Sequence, residues 1–110
     1  MSRIAASLLQ VQTTVATRED GEHLGRCLVD DRLAACVQVV GPIRSTYRTQ
    51  GRVSSNEEWL CLAKIRSDRF AEVAEAIRAV HAYQTPQIIA VPIADATADY
   101  LAWALAETTD

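Results

Sequence analysis

Residues 57–65, EEWLCLAKI, carry apolar side chains on both faces of any strand they form: Leu60 and Leu62 on one, Trp59, Cys61 and Ala63 on the other. Residues 87–93, QIIAVPI, do the same, and in residues 33–40 Cys36 and Val40 alternate with Ala35, Val37 and Val39 around a single Gln38. An antiparallel sheet with one face in water alternates polar with apolar residues. Strands without that alternation must be covered on both faces. No other feature of the chain limits its fold as much.

The remaining segments fit around these strands. Residues 7–15 alternate loosely and predict a first strand, and residues 16–32 predict a helix. Thr17 and Asp20 resemble a capping box there, early acids suit the positive helix end, and Leu24, Cys27 and Leu28 form an apolar stripe. Gly21 and Gly25 weaken this helix, each by about 1 kcal/mol relative to Ala. Residues 33–40 read as a second strand ended by Gly41-Pro42, and residues 43–53 as an extended segment turning at Gln50-Gly51. After EEWLCLAKI, Ser67 is the expected N-cap of a helix with Phe70, Val73, Ile77 and Val80 on one stripe. A final helix is expected from about Thr97, with Tyr100, Trp103 and Ala104 inward.

The predicted order is βαββαβ plus a C-terminal helix. This is an α+β, ferredoxin-like pattern: an antiparallel sheet with helices on one face, in a single domain spanning residues 1–110. One short helix remains to cover the other face. The two-sided strands therefore predict that further copies of the chain supply the rest.

Composition excludes several partners. Of 110 residues, 49 % are hydrophobic and 23 % charged, and the net charge is −3, which gives no pull toward nucleic acid or an anionic membrane. No apolar run approaches the roughly 20 residues that span a bilayer, and the N-terminus lacks the solid apolar block of a cleaved leader. Cys27, Cys36 and Cys61, odd in number and without a CxxC pair, predict reduced thiols and a cytoplasmic location.

Strong chemical signatures are missing. There is no CxxC, HExxH or Cys/His ladder for a metal, and no Gly-rich loop for phosphate. The ATREDG stretch after the first strand offers anions only Arg18, next to two acids, and the central strands lack the aromatics of an RNA-binding sheet. His23 reads as an exposed helix histidine. His81, in the last turn of its helix, reads as a histidine satisfied by a backbone carbonyl before it reads as a ligand. Cys36 and His81 can approach each other in this fold, but LAACV offers no activating environment, and no catalysis is expected.

Several motifs together resemble one family. LAACV, STYRTQGRV, EEWLCLAKI, HAYQTPQIIAVPI and DYLAWA are similar, in order and spacing, to the divalent-cation tolerance protein CutA, across nearly all of residues 7–105. The resemblance implies a ferredoxin-like subunit in a tight homotrimer whose sheets form the inter-subunit core. It also implies tolerance of copper and other divalent metals, with no established reaction and no organic cofactor. The family's histidine and tyrosine match His81 and Tyr83, while its proline between them is Ala82 here. Pro86 is kept, the acid after it is Gln87, and the hairpin tryptophan is Thr49. Copper-binding relatives often carry a cysteine where this chain has Thr13. Glu58 matches an acidic position offered as a metal ligand. His81 and Glu58 are thus the carried-over ligands, and imidazole with carboxylate makes a weak site for Cu(II) or, less readily, Zn(II).

A second reading has a different class. In it the trimer is a sensor or adaptor, comparable in architecture to the PII signalling proteins, that takes a small molecule or partner protein in clefts between subunits. The polar-tipped aromatics and amides suited to such a cleft are Tyr47, Lys64, Tyr83, Gln84, Tyr100 and Trp103.

Overall fold

The computed structural model describes residues 7–109. The expectation of no cleaved leader bears in part on residues 1–6, which lie outside the described residues. The elements run β1 (Leu8–Val15), α1 (Arg18–Asp30), β2 (Cys36–Thr49), β3 (Arg52–Arg66), a 3-10 turn (Ser67–Arg69), α2 (Phe70–Val80), β4 (Ile89–Pro92) and α3 (Ala98–Glu107). The sheet order is β2-β3-β1-β4 and every neighbouring pair is antiparallel, so the predicted ferredoxin-like α+β topology holds. None of the helices among the described residues is long and apolar enough to cross a membrane.

Local chemistry explains most of the boundaries. The Thr17 hydroxyl accepts a hydrogen bond from the Asp20 amide at 3.1 Å, capping α1 as its sequence predicts. Gly21 lets α1 lie close on the sheet: a Cβ there would stand 3.0 Å from Val39 Cγ1. Gln50 and Gly51, both at positive φ, make the expected two-residue turn between β2 and β3.

Three expectations are corrected. Gly41-Pro42 does not end β2; the strand crosses it through a register shift between Val40 and Ile43, and pairing resumes at Ile43 with Glu58. Proline is tolerated because its missing N–H falls in the bulge, where the ladder asks for no donor. β3 consequently begins at Arg52 and forms a long two-stranded arm with β2. Ser67 opens the 3-10 turn instead of capping a helix, and α2 starts at Phe70. In α3, Ala104 is fully buried, but Tyr100 and Trp103 are 37 % and 43 % exposed. The inward stripe is Leu101, Ala104 and Leu105, which packs with Leu8 and Ala35.

The two sheet faces are covered unequally. On one, Val11, Val15, Cys61, Ala63 and Ile65 pack under Leu24 and Leu28 of α1 and Val73 and Ile77 of α2. On the other, α3 sits over the end near Leu8. By register, Val40, Ile89 and Val91 belong to this second face, and each is 43–48 % exposed.

Candidate functional site

Past the bulge, alternation along the arm puts Tyr47 of β2 and Asn56 and Glu58 of β3 on one side. The segment that follows α2 crosses beside them. Together they enclose a groove of about 790 Å³ whose lining includes Tyr47, Asn56, Glu58, Tyr83, Gln84 and Gln87. Asn56 donates its side-chain amide to the Tyr47 hydroxyl, fixing that wall.

Glu58 is the chemically distinctive group. It is 6 % exposed, and Tyr83 donates its hydroxyl to Oε2 at 2.8 Å. Burial, then the bond to the adjacent carboxylate, pushes the Tyr83 phenol up to about 12. Tyr83 is in turn positioned by His81. The Tyr83 backbone N–H donates to Nδ1 at 3.1 Å, so Nδ1 carries no proton, and Nε2–H donates to the Thr14 carbonyl at 2.9 Å. β4 pairs with β1 only from Leu9 to Gln12, so the imidazole satisfies a carbonyl beyond the end of β4. The rings of His81 and Tyr83 also lie 4.8 Å apart, centroid to centroid.

The predicted site residues therefore fall into two groups. Tyr47, Glu58, Tyr83 and Gln84 meet in the groove, with His81 behind Tyr83. Lys64, Tyr100 and Trp103 lie elsewhere on the same chain, Lys64 being six residues along β3 from Glu58, about 20 Å. There Lys64 donates to the Gln38 amide oxygen at 2.9 Å and pairs in register with Cys36. The Cys36 thiol contacts the Tyr100 hydroxyl at 3.5 Å, and the Tyr100 ring lies 5.5 Å from that of Trp103, tilted by 52°. Burial, then the Cys36 contact, pushes Tyr100 up to about 12. Cys36 thus meets Tyr100 and not His81.

Sequence reasoning missed Asn56. The signal available is the alternation Ser54, Asn56, Glu58, which lies on one side of a strand that begins at Arg52 and not at residue 57. Thr13 is buried on the covered face opposite Cys61, with a hydroxyl that has no partner among the described residues. A thiol at that position would face away from Glu58.

The fit to a metal is partial. Among the described residues, His, Cys, Asp and Glu form no group of three or more able to hold an ion. Both His81 nitrogens are engaged, so a metal there would have to displace the Tyr83 amide or the Thr14 carbonyl. One chain does not build a chelate around Glu58 and His81.

Topology and groove define the class, a ferredoxin-like α+β protein with a buried carboxylate at the base of a long hairpin. The family model of the CutA1 divalent ion tolerance protein matches residues 9–107, and the chain belongs to that family. The divalent-cation tolerance protein CutA of Thermus thermophilus is 40 % identical over 93 residues, covering 84 % of this chain and 90 % of that one. Protein CutA, chloroplastic, of Arabidopsis thaliana is 39 % identical over 84 % of this chain and 51 % of its own length. The structure of the periplasmic divalent cation tolerance protein CutA from Archaeoglobus fulgidus superimposes with a TM-score of 0.90. It is 31 % identical and covers 93 % of this chain and 99 % of that one.

Proposed function

We propose that the chain serves divalent-cation tolerance as a cytoplasmic homotrimer of one-domain subunits. It binds metal weakly, copper before zinc, without catalysis and without an organic cofactor. The observation that carries this reading is the Glu58 carboxylate, buried at the groove and held at one oxygen by Tyr83. A buried carboxylate is costly unless a proton, donor or cation compensates it, and Tyr83 supplies a single hydrogen bond. Water or groups from another copy complete the cation's shell. His81 contributes chiefly by positioning Tyr83, and as a ligand only after giving up one of its bonds. The exposed Val40, Ile89 and Val91 support the trimer, because a copy packed on them would remove apolar surface from water.

A second reading, the sensor or adaptor of PII-like architecture, is favoured by the groove itself. About 790 Å³ lies within the range of small-molecule sites.

Calorimetric titration with Cu(II) and Zn(II), with the cysteines alkylated, tests the first reading. Saturable heat that Glu58→Gln removes and His81→Ala weakens is expected. Heat indifferent to both substitutions, or none that saturates, overturns the metal reading and leaves the small-molecule one.

A further inference from the structure

We infer that α1 carries a second, separate metal site, a thiolate–imidazole pair made by Cys27 and His23 that takes a thiophilic tetrahedral divalent cation of the Zn(II) class. The two residues are four apart on one helix, so successive turns place them on the same face. Their donor atoms already meet: Cys27 Sγ lies 3.6 Å from His23 Nε2. A tetrahedral ion with sulfur at about 2.3 Å and imidazole nitrogen at about 2.05 Å has an S···N edge of about 3.6 Å. The separation of the two donor atoms equals that edge.

The surroundings favour an ion. α1 is capped by Thr17 and seated on the sheet through Gly21, Leu24 and Leu28, which fixes the backbone that carries the pair. The helix bears Glu19, Asp20, Glu22 and Asp30 against Arg18 and Arg26, a net negative setting. His23 is exposed and Cys27 half-buried, so an ion reaches both. Thiolate and imidazole select soft and borderline cations over Mg(II) or Ca(II). His23 and His81 line a common pocket of about 40 Å³, but His81 commits both nitrogens to Thr14 and Tyr83. The ion therefore has two protein ligands, and water fills the other positions.

On binding, the Cys27 S–H bond breaks and its proton passes to solvent, the thiolate forms the metal–sulfur bond, and the Nε2 lone pair forms the metal–nitrogen bond. Four of the aqua ion's six waters leave as it becomes tetrahedral, two stay bound, and no oxidation state changes.

Titration of the full chain with Cd(II), followed by thiolate-to-metal charge-transfer absorption, tests the site. One ion per chain is expected to saturate the signal. Cys27→Ser abolishes it, and His23→Ala weakens binding on the order of tenfold or more, because the second ligand acts intramolecularly. Cys36→Ser, Glu58→Gln and His81→Ala leave it in place, which separates this site from the groove. On unsubstituted protein, Zn(II) is expected to slow alkylation of Cys27, read by mass spectrometry. A signal that survives Cys27→Ser, a His23→Ala affinity equal to that of the unsubstituted chain, or Cys27 alkylation indifferent to Zn(II) would overturn the proposal.

Discussion

The two faces of the sheet are made of the same strands yet are finished differently. Under α1 and α2, Val11, Ile65, Val73 and Ile77 are no more than 1 % exposed. Under α3, Leu8 and Ala104 are equally buried, but Ile89 and Val91 a few residues away are nearly half exposed. β4 is apolar on both sides, so the contrast does not come from strand composition. It comes from the supply of helix: α1 and α2 together cover one face, and α3 alone packs on the other. The closed face is where a single chain stabilises itself, and the open face leaves Ile89 and Val91 in water.

That contrast can be broken by substitution. Ile77→Ala, on the closed face, is expected to cost about 2–5 kcal/mol in chemical denaturation, whatever the protein concentration. Gly41→Ala should follow at about 1–3 kcal/mol, because a Cβ there would stand 2.3 Å from Trp59 Cδ1 and force the ring from its place. Val91→Ser is the discriminating variant on the open face. If further copies cover it, the loss is about 1–2 kcal/mol per chain, the midpoint shifts with protein concentration, and light scattering finds more than one chain of 12.1 kDa. A concentration-independent loss within about 0.5 kcal/mol would mean that the face is free.

The smallest effect is on pH dependence. Tyr83 and Tyr100 both lie toward the open face, and both titrate near 12 in the fold against an ordinary 10.0. Between these values the unfolded chain has lost phenolic protons that the folded chain keeps. The stability they contribute is complete below pH 10 and is lost as pH rises through 12. Denaturation midpoints should fall over that window, and the fall should shrink in Tyr83→Phe and again in Tyr83→Phe/Tyr100→Phe.

Much of this architecture is legible in the residues, for identifiable reasons. Thr17 and Asp20 mark a helix start because the cap is a local hydrogen bond, and Gln50-Gly51 marks a turn because positive φ is a local demand. Gly41-Pro42 misleads, since a proline that breaks a strand and one that sits in a bulge look alike until the partner strand is placed. Tyr100 and Trp103 mislead in a similar way. A helix with Leu101 and Leu105 as well as large aromatics has two stripes that could face inward, and packing against Leu8 decides between them. The union of Tyr47, Glu58 and Tyr83 is not periodic at all. It depends on the bulge shifting register by one residue and on the segment after α2 crossing beside the arm, neither of which a local pattern shows. The His23–Cys27 spacing is plain in the sequence, but each residue taken alone reads as ordinary.

The long arm has a consequence of its own. Its tip lies beyond the helices, and nothing stands within 4 Å of where a Cβ on Gly51 would be. Residues inserted there add only loop-closure entropy, about 0.6 kcal/mol for each doubling of length. Lineages of this chain can lengthen or decorate the tip while the packed interior goes on evolving under separate constraints, and an engineer can place a tag between Gln50 and Gly51 on the same grounds.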